Sequence, residues 1–235
     1  MKKLIFCFIL FSFSFFTFSQ NRNLEVLYSV KMKKIEGEKL SKSASQLSLA
    51  FEKRKFKLHI KDKESLFSSY ETLTNNETTD DMLAKITLQS DNEYYVNRSE
   101  NITIKKVSAL GTSFIIESYI ENNWNITKEK KKIDNYDCYK ATKSITKENF
   151  KGEKFEINVE AWYCPEISMP LGPLEYNGLP GLILELHLDK IIYYVDNIKT
   201  VKTNKLSIER PEGNSKISQS DFDKLIKEAI NNRGN

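Results

Sequence analysis

The 235-residue chain has only two histidines, three cysteines and five prolines. With His59 and His187 alone, neither a three-histidine metal site nor an HExxH zinc motif can form. The glycines are not arranged as a P-loop, a GxGxxG dinucleotide fingerprint or a GxSxG nucleophile elbow. No sequence motif therefore points to catalysis, and we expect no cofactor.

Only one long apolar run is present, and it lies at the N-terminus. Met1-Lys2-Lys3 precedes the run from Leu4 to Phe18, and Thr17-Phe18-Ser19 provides a small-x-small cleavage pattern. The run is shorter than the roughly 20 residues that span a bilayer. We expect residues 1–19 to be a signal peptide, with a membrane anchor as the alternative. The mature protein is then exported, to the periplasm or beyond, and is not an integral membrane protein.

Charge of either sign is not in large excess. Without Lys2 and Lys3, 34 of the 36 Lys and Arg residues remain against 32 Asp and Glu residues. Nucleic-acid binding requires a concentrated basic face, so this balance argues against a nucleic-acid partner. Residues 20–235 are enough for one domain with a substantial core, and we expect a single domain there.

Apolar and polar residues alternate along most of the mature chain, which is typical of strands with one buried face. The clearest cases are Val26-Tyr28-Val30-Met32, Phe56-Leu58-Ile60, Ile102-Ile104, Trp124-Ile126 and Phe155-Ile157-Val159. Residues 85–89 are also assigned to a β-rich segment. Short connections without βαβ spacing exclude a doubly wound α/β fold. The prediction is a mainly β protein, a large curved antiparallel meander or half-open barrel, with two packed sheets as the alternative.

Two segments have a helical rather than a strand pattern. Glu38 to Leu47 has a weak helical signal. Ser220 to Asn231 has a clear one, because Phe222, Leu225, Ile226, Ala229 and Ile230 recur at helical spacing. The sequence therefore predicts a C-terminal α-helix that packs over the sheet or lies beside it.

The mature chain retains two cysteines, Cys138 and Cys164. They lie in two predicted strands whose connection is centred near position 151, so they are expected to be cross-strand neighbours. In an oxidising compartment such a pair is a disulfide candidate. Two buried free thiols, or a reactive pair, are the alternatives.

Four of the five prolines and three of the eight glycines lie between Pro165 and Gly181. Proline fixes φ and glycine frees it, so this composition encodes one particular loop path. Long ordered loops on a β scaffold often carry recognition. The binding candidates are Trp162, Pro165, Leu171, Leu174, Tyr176, Gly178, Leu179, Pro180 and Gly181. Alternatively, the loop is a lid that closes the core.

Glu185, His187 and Asp189 follow one another at every second position, so they are predicted to share one strand face. This makes them weak candidates for a metal site. The alternative is the polar outer face of a strand whose other face carries Leu182, Leu184, Leu186 and Leu188.

Several blocks between Trp124 and about Leu188 resemble the GLPGLI family, secreted proteins of outer-membrane-bearing bacteria. The blocks are Trp124-Asn125-Ile126, Lys132 to Thr142, Ala161 to Ile167, Gly172-Pro173 and Tyr176 to Glu185. The segment Phe150-Lys151-Gly152-Glu153-Lys154 departs from the family, which often has a Gly-Arg element there. The family has no assigned activity. The resemblance implies export and a β-rich fold, and it assigns no catalytic residues.

Together these observations favour an exported, non-catalytic envelope protein. We expect its curved sheet and Pro/Gly loop to bind an apolar ligand such as a lipid, or a partner segment. A second hypothesis is an accessory partner of an outer-membrane transporter or secretion system, and a third is a metal-dependent enzyme.

Overall fold

The computed structural model describes residues 23–33, 41–70, 77–149, 152–202 and 205–233. The predicted signal peptide, residues 1–19, lies outside these residues, as does the start of the weak helix predicted from Glu38. In the described part of the chain, no helix is long and apolar enough to cross a bilayer.

The described residues form twelve strands and three helices. The strands are β1 (Asn23–Met32), β2 (Lys55–Lys61), β3 (Glu64–Ser69), β4 (Glu93–Asn97), β5 (Ile102–Ala109), β6 (Thr112–Tyr119), β7 (Asn125–Ile133), β8 (Tyr136–Glu148), β9 (Lys154–Cys164), β10 (Leu182–Leu188), β11 (Ile191–Val201) and β12 (Ser215–Lys216). The helices are α1 (Lys42–Glu52), α2 (Thr79–Thr87) and α3 (Gln219–Arg233).

All twelve strands belong to one open sheet, in the order β12-β6-β5-β4-β3-β2-β1-β11-β10-β9-β8-β7. Every neighbouring pair is antiparallel except β12 with β6. The predicted mainly β, open architecture is confirmed. It is not a simple meander, however, because the first strand lies in the middle of the sheet, between β2 and β11.

The sheet is strongly curved. Lys105 on β5 and Lys147 on β8 line the same cavity, although their strands are eight positions apart in the sheet. In a flat sheet with about 4.8 Å between strands, they would be roughly 38 Å apart. The sheet therefore curls into a half-open barrel with a concave and a convex face.

Helix α3 contacts strands from both halves of the curled sheet. Gln219 accepts a hydrogen bond of 2.7 Å from Lys105 on β5, and Phe222 packs against Phe114 on β6 with ring centroids 5.5 Å apart. Near its other end, Lys227 lies 3.5 Å from the carboxylate of Glu148 on β8. The predicted C-terminal helix is confirmed, and it spans the opening between the two halves.

The main core lies on the concave face and is rich in aromatic rings. Tyr28, Phe56, Phe67 and Tyr193 are all buried there. Phe56 and Phe67 are stacked with centroids 5.2 Å apart, and Tyr193 meets Phe56 edge-on at 5.5 Å. Each such ring buries about 150–250 Å², so this cluster dominates the packing of the central strands.

A smaller core lies on the convex face of β4, β5 and β6. Tyr95, Ile102, Ile104 and Ile115 are buried together there, and Ile208 packs over them. On β5, Ile102 and Ile104 consequently face the convex side, and the residues that alternate with them, including Lys105, face the concave side.

The assignment of residues 85–89 to a β-rich segment is wrong, because helix α2 occupies Thr79–Thr87. Its start is fixed by a capping box in which Thr78 and Asp81 satisfy each other's backbone N–H groups. Helix α1, Lys42–Glu52, lies further along the chain than the predicted Glu38 to Leu47, since Ser41 caps its first turn by accepting from the backbone N–H of Ala44.

The Pro/Gly loop contains a close backbone approach that only glycine allows. A Cβ atom at Gly181 would lie 2.1 Å from the carbonyl oxygen of Cys164, and Gly181 has a φ of +154°. Backbone atoms cannot rotate away as a flexible side chain can. The second glycine of the Gly178-Leu179-Pro180-Gly181 motif is thus required by the entry into β10.

We predict that Gly181→Ala lowers the free energy of unfolding by more than 3 kcal/mol, measured by urea denaturation, because steric overlap adds to backbone strain. Gly111→Ala is the matched control. Gly111 also has a positive φ, +77°, but an added Cβ would meet nothing within 4 Å. It should cost only about 1–2 kcal/mol, the penalty of the left-handed conformation. Equal losses in the two variants would contradict the close approach.

Candidate functional site

The concave face holds a cavity of about 440 Å³. It lies between the C-terminal parts of α1 and α2, strands β4 and β5 on one side, and strands β8 to β11 on the other. Its volume is within the range of about 300–1,000 Å³ that is usual for small-molecule sites. This cavity is the best candidate for a functional site in the described part of the chain.

The cavity wall is mainly apolar. It is formed by Met32, Leu47, Phe51, Leu88, Ile145, Ile157, Leu174, Leu188 and Ile191, together with the rings of Tyr94, Tyr176 and Tyr193. Among the described residues, the hydroxyl groups of Tyr176 and Tyr193 form no hydrogen bond. Such a wall suits an apolar molecule that also offers a few polar atoms.

Five charged side chains also line the cavity: Lys105, Lys147, Glu175, Asp189 and Lys190. Burial lowers the pKa of Lys105, while the negative charge of Glu175 partly offsets this effect. Burial raises the pKa of Tyr176 and of Tyr193, and the Glu175 carboxylate raises both further. Glu175 therefore acts on groups all around the cavity.

The loop candidates predicted from the sequence are distributed over different environments. Leu174 and Tyr176 line the cavity, whereas Leu171 and Leu179 are buried in the core. The loop thus packs inward over much of its length and presents only part of its apolar surface to the cavity.

The remaining loop candidates lie away from the cavity lining. Pro165 and Pro180 are exposed, and Gly178 and Gly181 shape the backbone. Trp162 is buried beside Glu160, whose carboxylate accepts a hydrogen bond of 2.8 Å from the indole N–H. Lys131 lies over the indole ring, 4.3 Å from its centroid.

Glu185 and His187 lie on β10, facing away from the cavity, and are hydrogen-bonded to each other. Lys131 also donates a hydrogen bond of 2.7 Å to Glu185. Burial alone would raise the pKa of Glu185, but the His187 and Lys131 contacts outweigh it and lower the pKa to about 2. The pair is thus part of an ion-pair network.

Asp189 does not join that network. It lies in the turn between β10 and β11, with a positive φ of 53°, and contributes to the cavity lining. Nowhere in the described ranges do three or more His, Cys, Asp or Glu residues come together to hold a metal ion.

Cys138 and Cys164 lie at the same end of the β8–β9 ladder, each directly beyond its last pair, Tyr139 with Tyr163. Both thiols are buried and free. Burial raises the pKa of Cys138 to about 12, and the nearby Cys164 contributes to the rise. Because the thiolate is the nucleophile, neither thiol is activated in this state.

Four important cavity residues have no functional signal in the sequence: Phe51, Tyr94, Lys105 and Tyr193. They lie on α1, β4, β5 and β11, which meet only through the curvature of the sheet. Their strand or helix positions could be predicted locally. Their convergence depends on pairing between distant segments, for which local periodicity carries no signal.

We predict that Glu185→Gln lowers the free energy of unfolding at pH 7 by about 2 kcal/mol, since it removes the charge that Lys131 and His187 stabilise. Glu185 has a folded pKa of about 2 against 4.5 for the unconstrained group. A lowered pKa contributes stability that is present above pH 4.5 and is lost as the pH falls toward 2. Urea denaturation at pH 3 should therefore show less than half of the difference seen at pH 7.

Glu129→Gln is the control for this prediction. Glu129 forms an ion pair of 3.2 Å with Lys140, but its side chain is 60% exposed. Such surface pairs contribute only about 0–1 kcal/mol. A pH-independent difference for Glu185→Gln would show that the residue acts through packing rather than charge.

Comparison with known proteins yields a family match and a fold match. Residues 142–185 match a family described as a protein of unknown function (Porph_ging). Two crystal forms of PNGF-II share the fold, each with a TM-score of 0.55 over 87% of this chain, at 13% and 14% identity. The chain corresponds to only 32% and 33% of those proteins. No match is found among curated proteins. The chain is therefore similar, over β8 to β10, to a family without an assigned function.

Proposed function

We propose that the protein is an exported, non-catalytic envelope protein that binds an apolar ligand, such as a lipid, in its concave cavity. The observation that carries this proposal is the cavity of about 440 Å³ with a mainly apolar wall. Apolar side chains that line an open cavity remain in contact with water until a ligand covers them, and covering them contributes about 25 cal/mol per Å². Ligand binding is thus favoured by the shape and the chemistry of this surface.

We also propose that the chain is a GLPGLI-family protein. The match at residues 142–185 falls inside the segment from Trp124 to about Leu188 that resembles this family. Export rests on the N-terminal pattern of residues 1–19, and the destination is the periplasm or the exterior. The similarity to PNGF-II supports the fold and adds nothing about activity, since the identity is only 13%.

The non-catalytic assignment rests on the state of the nucleophilic and basic groups in the described residues. The two thiols are buried with raised pKa values, and His187 is bound to Glu185 on the convex face. Neither the two thiols nor the His187–Glu185 contact places a nucleophile beside a base at the cavity.

We predict that Ile145→Trp prevents binding of N-phenyl-1-naphthylamine, a neutral apolar fluorescent probe, by filling the cavity. The wild-type chain should show a saturable increase in probe fluorescence. Ser144→Trp is the matched control, because Ser144 is exposed on the opposite face of the same strand, where its hydroxyl donates a 2.9 Å hydrogen bond to Glu156. It should bind the probe like the wild type.

Absence of saturable binding to the wild-type chain would contradict the cavity proposal. Equal loss in both tryptophan variants would also contradict it, since the effect would then not depend on the cavity face. Circular dichroism of each variant checks that the sheet is intact.

The placement of Cys138 and Cys164 supports a disulfide in the exported protein. On oxidation the two thiols would lose two electrons and two protons to a disulfide of the oxidising compartment, which is itself reduced to two thiols. Both residues lie directly beyond the Tyr139–Tyr163 pair at the same end of the ladder, and this closeness favours bond formation.

We predict that protein produced in an oxidising compartment is lighter by two hydrogens than the reduced chain, measured by intact mass under denaturing conditions. Reduction should lower the free energy of unfolding by about 2–4 kcal/mol, and the reduced chain should match a Cys138→Ser, Cys164→Ser variant apart from small packing effects. Recovery of two alkylatable thiols from the oxidised preparation would overturn this assignment.

A second candidate function is docking to a protein partner, such as an outer-membrane transporter or secretion system. Helices α1 and α2 expose Leu49, Met82, Leu83 and Ile86, which are 46–73% accessible. Clustered exposed apolar residues often mark interaction surfaces.

Edge strand β7 is less suited to a partner that adds a strand to the sheet, because Lys128, Lys130 and Lys132 lie along it. Failure of the probe to bind would favour the helical surface over the cavity.

A further inference from the structure

Lys105 stands out among the charged residues of the cavity. Its side chain is half-buried, and its ammonium donates a hydrogen bond of 2.7 Å to the neutral amide oxygen of Gln219. Among the described residues, no carboxylate lies within ion-pair distance of it. The neighbouring Lys106, on the opposite face of β5, forms an ion pair of 3.5 Å with Glu93. The lysine on the cavity side thus lacks the carboxylate partner that its neighbour has.

A partly buried ammonium without a carboxylate partner is energetically unfavourable. Burial penalises the charged form of Lys105 and lowers its pKa, and Lys147 adds a like charge. The carboxylates of Glu175 and Asp223 offset only part of this effect. Charges that are removed from water are normally paired with an opposite charge. An anionic group inside the cavity would supply that partner and form a charge-assisted hydrogen bond.

The charged side chains that line the cavity carry one more positive than negative charge. Three lysines, Lys105, Lys147 and Lys190, stand against the two carboxylates of Glu175 and Asp189. Glu175 is exposed and forms no ion pair in the described part of the chain. A single negative charge on the ligand would balance the lining.

The volume of the cavity limits the size of the apolar part of the ligand. At about 30 Å³ for each water-sized group, 440 Å³ holds roughly 15 such groups. We propose that the cavity binds an amphipathic acid, with an apolar body of about a dozen carbon atoms along the aliphatic wall and one carboxylate or similar acidic group on Lys105. This inference rests on the proposed ligand-binding function and names the chemical class of the ligand.

The test compares dodecanoate with dodecanol, which share the chain and differ in charge. Their affinities are measured at pH 8 by displacement of N-phenyl-1-naphthylamine from the full chain. Lys105→Met should weaken dodecanoate binding about tenfold, the effect of losing one charge-assisted hydrogen bond, and change dodecanol binding by less than about twofold. Lys106→Met is the control and should affect neither probe.

Glu175→Gln provides a test of opposite sign. Removing this negative charge should strengthen dodecanoate binding a few-fold without changing dodecanol binding, because only the acid interacts with the local field. This variant alters no buried side chain, so it keeps the proposal testable even if Lys105→Met fails to fold.

The outcomes separate the two proposals. If neither dodecanoate nor dodecanol displaces the probe, ligand binding in the cavity fails. If both bind but Lys105→Met and Glu175→Gln shift them equally, the cavity binds apolar molecules and the acidic class is wrong. Tighter dodecanoate binding by Lys105→Met would also overturn the acid assignment.

Discussion

The architecture depends on the pairing of β1 with β2 on one side and β11 on the other. Along the sheet, β1 is the only connection between the strands from β2 to β6 and those from β7 to β11 in the described structure. A bulge between Leu27 and Tyr28 interrupts its register with β11. The hydroxyl of Tyr28 also donates a hydrogen bond to the carbonyl of Ile183 on β10. This one strand therefore holds together the two halves of the sheet that meet around the cavity.

The two faces of the curled sheet have different chemical roles. At β5 the apolar residues Ile102 and Ile104 are buried on the convex side, which leaves Lys105 for the concave side. At β10 the arrangement is reversed, since Leu186 faces the core and Glu185 faces outward. A mixed cavity results, in which Lys105 comes from β5, while β8 to β11 and their connections supply the other charged groups together with much of the aliphatic wall.

The features that were predictable from the sequence are those encoded locally. Alternation predicts that Val26, Tyr28 and Val30 are buried, as they are. The position of the turn between β8 and β9 predicts that Cys138 and Cys164 lie near each other, at the same end of this ladder. Both predictions depend only on strand periodicity and turn position. Helix α2 was missed, since its short apolar pattern also fits a strand and its start is set by the polar capping box of Thr78.

The residues that line the cavity could not be predicted from the sequence, for a different reason. Periodicity divides each strand into two faces but does not say which face becomes concave. Lys105 alternates with isoleucines and so has the pattern of an ordinary solvent-facing lysine. Only the curvature, which depends on all twelve strands, brings it near Glu175 and the aliphatic wall.

The central position of β1 also has a kinetic consequence. Tyr28 and Ile183 are 155 positions apart, and the pairing of β1 with β11 requires nearly the whole chain to be present. Folds dominated by such distant contacts have high contact order and form slowly, because loop-closure entropy is lost before the contacts are gained. A chain with this topology therefore cannot complete its sheet until residues as far as β11 have been synthesised.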